Sequence, residues 1–151
     1  MDMITPQRTN WLTVVPEIHE EFLAFWNRIK PPKGLPTLDS YAESDLDRWA
    51  GHLHLVELVG DDDAKYIVYG SAIGKLHGRD WTGKSFSELA YEDPKTLLGY
   101  YHDVRDAGRP LAHVVNASVE SQYRRWSRLF IPFGDETGTV RCIMVHSVLI
   151  E

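Results

Sequence analysis

A single cysteine, Cys142, stands among 151 residues. No disulfide can close within one chain, and no thiolate cluster is available to hold a metal. No apolar run approaches the roughly 20 residues that a helix needs to cross a bilayer. The N-terminus lacks the basic start and apolar core of a secretory leader. A reducing cytoplasm is therefore the expected location. Cations are also in deficit: 16 Lys and Arg face 22 Asp and Glu, a net charge of −6. A nucleic-acid binder needs clustered cations to displace phosphate counterions, so neither nucleic acid nor membrane is an expected partner. The one basic cluster, Arg124, Arg125 and Arg128, falls on an expected strand and reads as a solvated face or a partner contact. Internal repeats, low-complexity segments and interdomain linkers are missing as well. The length suits one domain with a real core.

What is present is well punctuated. Residues 1–34 read as a polar tail, an apolar patch (Trp11, Leu12, Val14, Val15) and a flanking helix, with 35–151 as the main domain. Pro16 suits the first turn of that helix. Ile18, Phe22, Phe25 and Ile29 then fall on one helical stripe, and Pro31-Pro32 with Gly34 ends it. The stripe and the patch together carry more apolar surface than a small sheet hides, which predicts a homodimer through the 16–30 helix. A short helix is expected over 43–50, capped by Ser40 or Ser44. Strands are expected at 52–59 and 64–70, joined by the Asp61-Asp62-Asp63 turn. Asp93 as cap, Pro94 as first residue and Gly108 as stop mark a helix over 94–107. Three strands follow, near 110–119, 123–132 and 139–150, with turns at 120–122 and 134–138. Five strands with a helical insert after the second imply an antiparallel α+β sheet with helices on one face.

The insert is the most informative stretch. Gly70-Ser71-Ala72-Ile73-Gly74 leaves the second strand, and Gly78-Arg79-Asp80-Trp81-Thr82-Gly83-Lys84-Ser85-Phe86 follows. Glycines there permit positive φ angles or tight turns around a small cavity. Together with Trp26, Leu35-Pro36 and the late strand Leu129-Phe130-Ile131-Pro132-Phe133, this run resembles PAS sensor domains. It is most similar to a bacterial group of stand-alone PAS-like proteins. Ser71 and Phe133 depart conservatively from that group's usual Thr and Leu. The resemblance implies a sheet ordered 2-1-5-4-3 and a sensory or signalling role exercised through contact with another protein, since no kinase, cyclase or DNA-binding output motif is present. It also points away from the known cofactors. Where haem-binding PAS sensors carry their ligating His, this chain has Leu97. Where flavin-binding light sensors carry a Cys-containing helix, it has Ala72-Ile73-Gly74-Lys75-Leu76. No cofactor is expected.

The remaining candidate chemistry is thin. His52 and His54 alternate on one expected strand and make at most half a zinc site, so no metal is expected. No Gly-x-Ser-x-Gly elbow is present. On strand 110–119, Leu111, His113, Val115, Ala117 and Val119 share the apolar face, and the resemblance turns Ile67 and Tyr69 inward on the second strand. A small organic ligand between the sheet and the 94–107 helix would then be walled by Tyr69, Ile73, Leu76, Phe86, Leu97, Tyr101, Val104, His113, Val115 and Leu129. A filled core in which His113 and Tyr69 are satisfied internally competes with that reading. A different class also stays open, a small cone-shaped α+β enzyme using His113 with Asp80 or Asp103 as an acid–base pair. A purely structural interaction module is the third reading.

Overall fold

In the computed structural model, residues 11–89, 93–119 and 122–150 are described. Thus the first ten residues of the tail, part of the 120–122 turn and the inward placement of Val119 lie outside the described residues. The sheet has five strands: β1 Leu53–Val59, β2 Asp63–Val68, β3 Leu111–Val119, β4 Gln122–Gly134 and β5 Val140–Leu149. All pairings are antiparallel, in the order β2-β1-β5-β4-β3. The last strand therefore sits at the centre, as expected for a PAS arrangement.

Period-2 alternation sorts each strand into two layers. Val56, Phe130, Ile143 and Val145 face α2 (Ser71–His77) and α3 (Pro94–Ala107). Leu53, Leu129, Ile131 and Met144 face α1 (Glu20–Ile29). Helix α3 has the bounds its punctuation sets. Asp93 accepts from Lys95 N–H, and Gly108 closes the helix at φ 65°. The glycines of the insert divide by function. Gly78 and Gly83 take positive φ (75° and 85°). Gly70 does not; a Cβ there would meet Gly51 O at 2.7 Å and Leu53 O at 3.0 Å. Backbone atoms cannot yield as a side-chain tip can. Gly70→Ala is expected to destabilise by roughly 1–3 kcal/mol through overpacking, read by urea denaturation; unchanged stability would refute this close approach.

Three local expectations are corrected. Residues Glu17–His19 form a 3-10 turn before α1. A tighter turn advances each residue by about 120° rather than 100°, so His19 points inward and Ile18 is left 49% exposed. Phe22 and Phe25 are buried as the stripe required, and Trp26 joins them, its indole N–H donating to Pro132 O at 2.9 Å. The 43–50 helix is instead two 3-10 turns, Glu43–Leu46 and Ala50–His52. The first is capped by Asp45, whose carboxylate accepts Ala42 N–H, not by Ser40 or Ser44. Asp is a good cap acceptor, and four-residue stretches rarely sustain α geometry. Ile67 is exposed while Ala64 and Tyr66 are buried, so β2 has the opposite parity to that implied.

Both sheet edges carry cover. Along β2, Tyr66 N–H donates to Lys84 O and Tyr66 O accepts Gly83 N–H, while Tyr69 N–H donates to Thr82 Oγ1. At β3, Leu12 N–H donates to Ala112 O, and Trp11 lies over the sheet with its indole N–H on Asp103 of α3 at 3.0 Å.

Candidate functional site

Between the sheet and α3 lies a small pocket of about 20 Å³. β1 brings His54 to it, β4 brings Trp126 and Arg128, β5 brings Val145 and Ser147, and the helices add Ile73, His77, Leu97 and Tyr101. Tyr66 and Tyr69 close it from β2 and the residue beyond. Room of this size holds about one water. The lining is nevertheless polar. His54 Nδ1 accepts Gly70 N–H at 3.0 Å, and its ring stacks on Tyr69 at 4.4 Å. Burial holds His54 down to about 3, with the Arg128 guanidinium and His77 adding to the effect, so it is a neutral imidazole. Arg128 is only 8% exposed. This corrects its reading as part of a solvated basic face; Arg125, three residues earlier on β4, does point out. The Trp126 indole N–H is buried and makes no hydrogen bond among the described residues.

Four of the expected wall residues line this cavity: Tyr69, Ile73, Leu97 and Tyr101. Phe86 and Val104 are buried in the same layer without reaching it, and Val115 packs at that layer's margin. Leu76 is 38% exposed on the outer side of α2. Leu129 lies on the opposite face of the sheet, in the layer beneath α1. Parity explains that placement, because Trp126, Arg128 and Phe130 take the inner positions of β4. His113 is fully buried but enclosed by rings: Trp11 stacks on it at 5.0 Å, and Tyr100 and Phe130 meet it edge-on at 4.8 and 5.0 Å. Burial, then Arg128 and His19, keep its pKa well below the usual value. Neither of its nitrogens is hydrogen-bonded among the described residues. The Asp103 carboxylate takes the Trp11 N–H, and Asp80 accepts from Thr82 within its own turn. The acid–base pairs proposed for a cone-shaped enzyme are thus not assembled.

A second polar cluster escaped sequence reasoning. On the α1 face, His19 Nδ1 and His146 Nδ1 share a hydrogen bond of 2.8 Å, and His19 Nε2 and Ser127 Oγ share another of 2.8 Å. All three residues are buried. Burial, then the neighbouring ring, lowers His19 to about 3; burial, then His52, lowers His146 to about 4. The signal was present but faint, as a histidine just before an amphipathic helix and another in the central strand.

No family model matches the chain, and no curated protein does. Solved structures do. A light-oxygen-voltage domain studied with a flavin analogue superposes with a TM-score of 0.54 at 12% identity, over 72% of this chain and 83% of that one. A fungal LOV domain photoreceptor gives 0.52 at 13% identity, over 89% and 92%. The fold is PAS-like. The light state of the blue-light photoreceptor Aureochrome1 LOV agrees, at 0.51 and 9% identity over 74% and 90%. At such identities the likeness carries the fold alone. A flavin does not fit this core, since a cavity of about 20 Å³ is far below the roughly 300 Å³ at which ligand sites of that kind begin.

Proposed function

We propose that this chain is a PAS-type sensory or signalling module, not an enzyme, and that it acts through contact with a second protein or a second copy of itself. One observation carries the reading. The segment entering α1 leaves Leu12, Val14 and Ile18 at 42%, 76% and 49% exposure, while the helix behind it is firmly seated on the sheet. Three exposed apolar side chains on one short segment suit a protein contact better than a solvated surface. Phe22 and Phe25, which the sequence also offered to a dimer, are occupied within the chain. The likeness of the Gly78–Phe86 run to stand-alone bacterial PAS-like proteins supports the same role, and the lone buried Cys142 suits a reducing cytoplasm. A guest in the core between Tyr69, Ile73, Leu97 and Tyr101 would be of water size.

The test is light scattering at high micromolar concentration. A dimer is expected for the wild type, and a monomer for the Leu12→Ser, Val14→Ser, Ile18→Ser triple variant. A monomeric wild type would overturn the homodimer.

A further inference from the structure

The α1 face of the sheet is only half covered by α1. Beside it, over β1, β2 and the middle of β5, lies a groove of about 450 Å³, within the range of small-molecule sites. Its floor is Leu53, Leu55, Val68 and Met144; its far wall is the 38–50 segment, with Leu38 and Tyr41 turned toward the floor. Val68 and Leu38 remain 46% and 39% exposed, so the floor and wall do not close on each other. The charged groups on the lining are two carboxylates, Glu43 and Asp47. Neither is hydrogen-bonded or ion-paired among the described residues, and no cation lines the groove.

We propose that this groove binds a small organic monocation with an apolar body, an aryl- or alkylammonium. The apolar body gains by covering the leucine, valine and methionine floor. The ammonium head gains from Glu43 and Asp47 at the rim, and the Tyr41 ring offers it a π face. A carboxylate ligand of the same shape would meet two like charges, and a neutral one would gain the floor alone. The groove also reaches α1, the helix that the proposed contact segment leads into. Arg48, between Asp47 and Trp49 on the wall segment, pairs with Glu21 of α1 at 3.0 Å. Trp49 meets the Phe22 and Phe25 rings at 5.2 and 5.8 Å, and Tyr41 meets Phe25 at 5.6 Å. A ligand that moves the wall therefore acts on the seat of α1. This site goes beyond the proposed protein contact, and its test does not depend on that contact.

Three probes with one aryl body discriminate: phenethylamine, 2-phenylethanol and 3-phenylpropionate, titrated into the 151-residue protein and followed by amide chemical shifts. Phenethylammonium is expected to bind at least about tenfold tighter than the alcohol, a difference of one decade in Kd, with 3-phenylpropionate weakest. Shifts should concentrate at Leu53, Leu55, Val68 and residues 41–47. The Glu43→Gln, Asp47→Asn double variant, altered only at exposed positions, should bring the amine down to the alcohol's affinity and leave the alcohol unchanged. Equal affinities for the three probes, shifts centred elsewhere, or no saturation at millimolar amine would each overturn the proposal. So would a Leu55→Arg variant that dissociates a wild-type dimer, since the groove would then be an interface between copies.

Discussion

Acidification from pH 7 to pH 5 is expected to remove most of this protein's stability. His19, His54, His113 and His146 are buried neutral, with pKa values near 3, near 3, well lowered and near 4. In the unfolded chain each returns to about 6.5. Above that value neither state is protonated, and the full stability is present. Below it the unfolded chain binds protons that the folded one cannot, so stability falls with pH until the folded values are reached. At pH 5 the solution is about 1.5 units below the unfolded value, a loss of about 2 kcal/mol apiece for His19, His54 and His146 at roughly 1.4 kcal/mol per unit. His19, His54 and His146 together approach about 6 kcal/mol and His113 adds in the same direction, which is comparable to the total stability of an ordinary domain of about 5–15 kcal/mol. Urea titrations at half-unit steps from pH 7.5 to 5 should show an uptake of three to four protons on unfolding. A flat profile over that range would mean that these rings are charged or solvated in the folded state. The hydrogen bonds alone do not set the effect. One added proton leaves both bonds of the His19–His146–Ser127 chain possible, but it places a charge with no carboxylate paired to it among the described residues; a second proton breaks the Nδ1–Nδ1 bond itself.

Phe22→Ala should be the costliest single change on the α1 face, at about 3–5 kcal/mol. The ring is fully buried and meets Phe25, Trp49 and His146 at 6.2, 5.2 and 5.4 Å. Its loss opens a cavity where helix, wall segment and imidazole pair converge, so no one neighbour can collapse into the space. Ile18→Ala, one turn earlier and half exposed, serves as the control and should change stability by about 0.5 kcal/mol or less. Hydrogen exchange should show faster exchange over residues 20–29 in Phe22→Ala than across β4 and β5. Similar losses for the two variants would show that α1 is not seated as described.

The sequence spoke most clearly where a residue has one physical use. Asp93, Pro94 and Gly108 bounded α3 to the residue, the order of elements carried the antiparallel sheet, and the family resemblance carried the strand order. It spoke less clearly where two periods compete. The stripe through Ile18 assumed 3.6 residues per turn, and a 3-10 turn after Pro16 rotated His19 inward in its place. Parity could be read on β3, where polar and apolar residues alternate. It could not be read on β4, where Trp126, Ser127, Arg128, Leu129 and Phe130 are all buried because both faces of the sheet are covered. This is why Leu129 was expected on the cavity side and why Arg128 and Trp126 were not. His54 was visible as a strand histidine, but its bond to Gly70 N–H joins residues 16 apart in sequence.

The two guarded edges of the sheet have unequal strength, and that sets an upper limit on polymer growth. Along β2, residues 82–85 of the same chain occupy the outward backbone groups of Tyr66 and the N–H of Tyr69. No incoming strand can add there without first peeling the insert away. At β3, among the described residues, one backbone bond from Leu12 holds the cover in place. Strand addition can thus begin at one edge only. A fibre needs two free edges on every molecule, one to receive and one to offer. Two chains that lost their Trp11–Leu12 cover could pair β3 to β3, and the β2 edges at either end of that pair would stop a third from joining.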